Sequence, residues 1–247
     1  IEGINIFGVS NLKEVIEHLV GGKKIKPAPV TQIEQEAFVS LTDFSDVRSQ
    51  ERAKRGLLIA AAGGHNVAMY GPPGTGKTML AKAFAGILPK LTFEESLEAT
   101  SIHSVAGTLS ETLIVNPPFR APHHTASYVS LVGGGATPRP GEITLAHRGV
   151  LFMDEFPEFE RRVIESMRQP LEDKVIAVAR AKGTAHFPAN LLLIAAMNPC
   201  PCGNYGFRGK PCICTPSALQ RYRRKLSGPI MDRIDIWLEV DRIMPHD

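Results

Sequence analysis

Four short, largely apolar runs punctuate the chain: Asn66-Val67-Ala68-Met69-Tyr70, Gly149-Val150-Leu151-Phe152-Met153, Leu191 to Ala196, and Ile236-Trp237-Leu238-Glu239-Val240. Their length and apolar character predict strands, the first two buried as in a parallel sheet. Helical spacing appears between them. Leu12, Val15, Ile16 and Leu19 recur on one face after an Asn11 cap with Glu14 three positions on, and Gly21-Gly22 stops that helix. Further helices are predicted from Ser49 to about Ala62, ended by Gly63-Gly64, from Met79 to Leu88, ended by Pro89, and from Phe159 to Gln169, ended by Pro170. Lys174 to Ala179 and Thr184 to Phe187 read as a hairpin turning at Arg180-Ala181-Lys182-Gly183. The long segment from Leu91 to Gly149 is rich in Pro and Gly around Asn116 to His124 and Val132 to Gly135, which predicts loops or a hairpin rather than helices.

The first buried strand runs into Gly71-Pro72-Pro73-Gly74-Thr75-Gly76-Lys77-Thr78, a P-loop pattern followed by a helix. Glycines there let the backbone wrap a phosphate with its N–H groups inward, at the positive end of a helix. Lys77 then reaches the β- and γ-phosphates of ATP, and Thr78 ligates Mg²⁺. The second strand ends in Asp154-Glu155. Asp154 orients Mg²⁺ and its waters, and Glu155 polarises the attacking water as general base. The third strand closes at Asn198, a polar residue suited to hold that water or the γ-phosphate. Arg233, just before the fourth strand, is able to present its guanidinium to another subunit's nucleotide.

Composition narrows the picture only a little. A hydrophobic share of 43% and a charged share of 21% over 247 residues suit one sizeable α/β domain with attachments. The net charge of +3 argues for nucleic-acid binding only through local patches. Those patches are the hairpin tip with Arg180 and Lys182 and the run Arg221-Tyr222-Arg223-Arg224-Lys225, both of which also read as solvated surface, and Arg120, His123, His124 and Arg139 in the insert, which suit DNA or a neighbouring subunit. His123-His124 also reads as a metal pair or, more simply, as loop hydrogen bonding. No apolar run approaches the length of a membrane span, so no membrane partner is expected and the cytoplasm is the expected location. Lys23 to Pro29 is a basic, extended tether.

Cys200, Cys202, Cys212 and Cys214 form two C-x-C pairs around a glycine-rich loop. Four thiolates are a full tetrahedral set for Zn²⁺, although C-x-C is a tighter bite than the usual spacing. The other reading is four reduced cysteines in a loop.

Taken together these stretches resemble the magnesium-chelatase-related AAA+ ATPases, the bacterial YifB/ComM group. The resemblance rests on Gly63-Gly64-His65-Asn66, the P-loop, Phe119-Arg120-Ala121-Pro122-His123-His124 and Pro140-Gly141-Glu142-Ile143. It continues through Leu151-Phe152-Met153-Asp154-Glu155, Ala196-Met197-Asn198-Pro199-Cys200-Pro201-Cys202-Gly203 and Asp232-Arg233-Ile234-Asp235. It implies an α/β P-loop fold of the AAA+ class: a parallel sheet flanked by helices, with a helix-2 insert and a hairpin before the sensor-1 strand. Asn198 is then sensor 1 and Arg233 the arginine finger. The implied organisation is a linker and remnant of an upstream domain over 1–40, and an AAA+ core over 41–247. A C-terminal lid with its sensor-2 arginine is missing from this stretch. Ser49 stands where the family usually has glycine. The resemblance implies a ring, most naturally a hexamer, that hydrolyses ATP and drives DNA remodelling or branch migration. A metal-chelatase motor subunit is the rival reading, and a nucleotide-switched scaffold is a third.

Overall fold

The structure is a computed structural model that describes residues 4–28, 42–135, 139–180, 183–207, 210–226 and 228–242. The chain divides into two units, one within residues 1–37 and one from 38 onward. In the first, α1 (Leu12–Val20) starts where the Asn11 side chain accepts the Glu14 N–H at 3.1 Å, and it ends at Gly21 with φ 87°. None of its residues is buried. The His18 ring lies 4.7 Å from that of Phe7, and its Nδ1 accepts the Ile25 N–H at 3.0 Å.

The second unit opens with α2 (Glu51–Gly63), which begins later than its sequence suggests because Ser49 and Gln50 both take left-handed backbone, φ 54° and 63°. Then come β1 (Val67–Tyr70), α3 (Lys77–Ile87) and α4 (Phe93–Ala106). The helix α4 corrects the expectation of loops for this half of the insert. It is opened by a capping box in which Thr92 and Glu95 satisfy each other's backbone. Only Ser96, Ala99 and His103 are buried along it, so no apolar face advertises the helix in the sequence.

After α4 the insert runs through β2 (Phe119–Arg120), α5 (Tyr128–Val132), the short pair β3 (Gly133–Gly134) and β4 (Arg139–Pro140), and α6 (Glu142–Leu145). Next are β5 (Val150–Met153), a 3-10 turn at Phe156–Glu158, α7 (Arg161–Ser166) and α8 (Arg168–Asp173). Pro170 does not end this helical stretch as expected. It falls in the first turn of α8, where the missing N–H has no intrahelical acceptor to lose. The hairpin β6 (Val175–Arg180) and β7 (Gly183–Pro188) follows, then β8 (Leu192–Met197), α9 (Pro216–Arg224), α10 (Gly228–Met231) and β9 (Ile236–Glu239).

Five strands form one parallel sheet in the order β2-β5-β8-β1-β9. Successive side chains point to opposite faces, and both faces of β1, β5 and β8 are covered, whereas the edge strand β9 leaves Trp237 and Glu239 exposed. Val150 and Phe152 join Met69, Leu80, Phe84, Leu57 and Ile194 on one side. Leu151 and Met153 join Ala68, Leu193, Ile143, Ile164 and Met167 on the other. This double burial is why β1, β5 and β8 read as uninterrupted apolar runs. Register pairs Tyr70 with Met197 and Met153 with Ala195, so the carboxyl ends of β1, β5 and β8 open at the same edge. That edge is where open α/β sheets bind ligands.

A buried histidine ties the insert to this sheet. His147 Nδ1 accepts the Asn190 N–H at 3.0 Å, which leaves Nε2 to donate to Glu98 on α4 at 3.1 Å. Burial pushes the His147 pKa below its ordinary value, against the pull of Glu98. In the unfolded chain the ring titrates near its usual value of about 6.5. The folded state therefore resists a proton that the unfolded state accepts, and the associated stability is complete above about pH 6.5 and lost as pH falls toward the folded value. The parent's melting temperature is expected to drop over that interval, and His147→Gln should flatten the drop. Thermal melts across pH test this, and equal slopes in the two proteins would contradict it.

Candidate active site

The segment from Gly71 to Gly76 leaves β1 and enters α3. The Gly71 N–H donates to Met197 O at 3.2 Å, which anchors the turn to the end of β8. Gly74 and Gly76 take φ 78° and 90°, a conformation that costs a residue with a Cβ about 1–2 kcal/mol. Gly76 caps α3 without any side-chain acceptor, so the first N–H groups of the helix face out of its start. Thr75 Oγ1 donates to Pro72 O at 3.0 Å. Pro72 and Pro73 fix the approach to the turn without adding donors.

Lys77 is the first residue of α3 and is buried. Its Nζ donates to Gly71 O and Pro72 O, both at 2.8 Å, and lies 3.4 Å from Asn198 Oδ1. Burial lowers its pKa, and the nearby Asp154 carboxylate works against that shift. Thr78 Oγ1 donates to Asp154 Oδ2 at 2.8 Å. The other Asp154 oxygen accepts the Glu155 N–H at 2.9 Å. Asn198 follows β8, and its backbone oxygen accepts from Tyr222 Oη at 2.9 Å, while burial pushes the Tyr222 phenol pKa up.

Glu155 has φ 52°, unusual for a residue other than glycine, and holds its carboxylate outside the β5 core. His124 Nδ1 lies 2.8 Å from Glu155 Oε2. The His124 ring packs against His123 at 4.2 Å and edge-on to Phe159 at 6.5 Å. Glu155, His124 and His123, with Thr78, Lys82 and Asp154, line a cleft of about 370 Å³. The partnership of His124 with Glu155 is absent from the sequence reading. It crosses from the segment after β2 to the second residue beyond β5, two neighbouring strands, and only the sheet order reveals it. Lys82 was missed too, although it stands one helical turn beyond Thr78.

The structure thus brings Lys77, Thr78, Asp154, Glu155 and Asn198 to one edge of the sheet and leaves Arg233 away from it. Arg233 precedes β9 at the amino end of the strands, where its carbonyl accepts from Asn66 Nδ2 at 3.0 Å. Its guanidinium pairs with Glu172 of α8 and donates to Pro229 O. Arg120 is not free for an outside partner either, since it binds Glu142 through two hydrogen bonds of 2.6 and 2.8 Å. His123 Nδ1 lies 2.8 Å from Thr125 Oγ1. The four cysteines converge, with every pair of Sγ atoms within 4.8 Å and no disulfide between them. At the hairpin tip Arg180 pairs across to Gly183, and Lys182 lies outside the described residues, as does Arg208. No helix among the described residues is long and apolar enough to cross a membrane.

Residues 43–247 match the family model described as magnesium chelatase, subunit ChlI. The chain is 49% identical over 221 residues to the uncharacterized protein YifB of Salmonella typhimurium, covering 89% of the chain and 43% of that protein. It is 46% identical over 242 residues to the competence protein ComM of Haemophilus influenzae, covering 96% of the chain and 47% of that protein. The chain therefore spans about half the length of the curated relatives it matches. Among solved structures, NtrX from Brucella abortus in complex with ADP superposes with a TM-score of 0.50 at 15% identity, over 77% of this chain and 35% of that one, a likeness of fold.

Proposed function

The chain belongs to the magnesium chelatase, subunit ChlI family, and from that premise we propose that it is the ATP-binding and ATP-hydrolysing core of an AAA+ motor. The observation that carries this reading is the meeting of Lys77 and Asn198, and of Thr78 and Asp154, at the carboxyl edge of one parallel sheet. The residues present suit the cofactors. The turn and Lys77 offer donors and positive charge to a polyphosphate, and Thr78 with Asp154 offers the oxygen ligands a hard Mg²⁺ ion takes. Bound Mg²⁺ supplies charge neutralisation on the phosphates. Lys77 exchanges its two loop carbonyls for phosphate oxygens. Glu155 orients and deprotonates the attacking water, and Asn198 fixes that water from the other side. The carboxylate must first loosen from His124, so His124 governs how much of Glu155 is free to act.

Arg233 serves the site of a neighbouring copy in a ring, which we take to be a hexamer. Residues 1–40 act as linker and remnant of a preceding domain, and residues 41–247 as the motor core. The likeness to ComM supports DNA as the track, with branch migration as the output and the hairpin tip at Arg180 and Lys182 as the contact. The description of the matching family supports a second reading, a motor that drives metal insertion through a partner. ATP turnover by the full-length protein, measured with and without branched DNA, separates the two. Phosphate contacts make such binding salt-dependent and largely independent of sequence. Arg180→Ala with Lys182→Ala is therefore expected to abolish most DNA stimulation and leave turnover without DNA unchanged. Undiminished stimulation in that double variant would remove the hairpin from the DNA path.

A further inference from the structure

We propose that Cys200, Cys202, Cys212 and Cys214 hold one zinc ion, and that this ion braces the wall of the nucleotide site. The thiols already stand as the corners of a mononuclear site. Cys200 and Cys202 are separated by 3.3 Å at sulfur, Cys200 and Cys212 by 3.8 Å, and Cys202 and Cys212 by 3.6 Å. Four sulfurs at the usual zinc–sulfur distance of about 2.3 Å form a tetrahedron whose edge is about 3.8 Å. The spacing is too long for bonded sulfur pairs and too tight for a cluster of several irons, whose ligands sit further apart.

The backbone is folded to serve the sulfurs. The Tyr205 N–H donates to Cys200 Sγ at 3.3 Å, and Asn204 Nδ2 approaches Cys202 Sγ at 3.9 Å. Such donors stabilise thiolates bound to a metal. Ile213, between the second pair, is turned out to solvent at 82% exposure, while Cys212 and Cys214 face the other sulfurs. Ile213 therefore contributes no apolar packing toward this shape. Arg223 lies over the Tyr205 ring at 5.6 Å, and Arg242 donates to Asn204 Oδ1 at 2.9 Å, so two guanidinium groups rest on the loop residues that donate to the sulfurs. Binding displaces the thiol protons, which leave to solvent.

The same loop leans on the nucleotide site. Cys200 is two residues beyond Asn198. Gly203, at φ 78°, packs so close to the turn that a Cβ there would come 2.6 Å from Pro73 Cδ. Helix α9 follows Cys214 and returns Tyr222 to the Asn198 carbonyl. Zinc thus fixes both ends of the segment that seats Asn198 and backs Pro73. The bracing role rests on the ATP reading above, whereas the metal site does not.

The test begins with elemental analysis of protein purified without added metal or chelator. About one zinc per chain is expected, with all four thiols unreactive until a chelator is added. Replacement by Co²⁺ should give the absorption of a tetrahedral tetrathiolate. Four reactive thiols with no metal, disulfides by mass, or iron in place of zinc would each overturn the proposal. Cys202→Ser with Cys212→Ser should lose the zinc. Should that variant fail to fold, chelator titration of the parent protein gives the same measurement. For bracing, a fluorescent ATP analogue should bind several-fold more weakly to stripped protein and recover on adding zinc. Gly203→Val should keep its zinc and still lose affinity. Unchanged affinity on stripping would overturn the bracing and leave the metal site standing. Zinc-loaded protein that binds no nucleotide would instead refute the ATP reading.

Discussion

Arg233→Ala is expected to bind ATP as the parent chain does and to lose about 10³–10⁵ in turnover once assembled into rings. The reason is its position. The P-loop leaves the carboxyl end of β1, while Arg233 lies beside Asn66 at the amino end. Four residues of strand separate the two, roughly 13 Å at the usual rise per residue, before the loops add their own length. The guanidinium is therefore far from its own chain's phosphates, and in the proposed ring it acts on those of a neighbour. Within the chain it is occupied by Glu172 and Pro229, with Nε buried and lacking a partner among the described residues. An ion pair in which both side chains remain about a third exposed is worth roughly 0–1 kcal/mol, so release toward a neighbouring site is inexpensive. Mixing Arg233→Ala with Lys77→Ala subunits should restore part of the activity, because each supplies the face the other lacks. Stable mixed rings without any rescue would exclude action between subunits.

The second large effect is on Glu155. Glu155→Gln should retain nucleotide affinity and lose about 10²–10⁴ in turnover, since the amide keeps the shape and polarity of the side chain but cannot accept the proton. Lys77→Ala should do the converse and weaken binding first. It also strips Gly71 O and Pro72 O of their donor, so its melting temperature must be followed beside its affinity. If the loop stays folded and binding falls, the loss belongs to the missing charge. Parent-like turnover in Glu155→Gln would end the assignment of Glu155 as base. His124 adds a control, because it touches Glu155 and not Lys77.

The central strands β1, β5 and β8 were legible in the sequence because they are buried on both faces, whereas the two-residue β2 lay in a segment expected to form loops or a hairpin. Val150 to Met153 show no alternation, and all four are buried in the structure. The P-loop was legible because left-handed turns at Gly74 and Gly76 leave few residue types available. Helix α4 was hidden because its packing face is Ser96, Ala99 and His103, none of which marks a hydrophobic stripe. Pro170 misled because a proline at a helix start and one past a helix end look alike without the tertiary context. The site followed the same division. Residues adjacent to strand ends could be assigned from the runs that precede them. The pairing of His124 with Glu155 could not, since it depends on β2 lying beside β5. The same holds for Glu172 against Arg233, which depends on where α8 packs. Convergence of the two C-x-C pairs was readable as an arithmetic of ligands, and their seat against Pro73 was not.

One contact near the start of the second unit has a topological consequence. Gln50 Nε2 donates to Asp241 O at 2.6 Å, so the chain entering α2 and the chain leaving β9 are in direct touch. The polypeptide of the core comes close to being a closed loop, broken only where 50 and 241 face each other. Backbone connectivity and architecture are then separable. A short bridge from one side of this contact to the other, with new ends opened at an exposed turn elsewhere, keeps every strand neighbour it now has. Segments before residue 50 and after residue 241 therefore leave the core from neighbouring points on its surface.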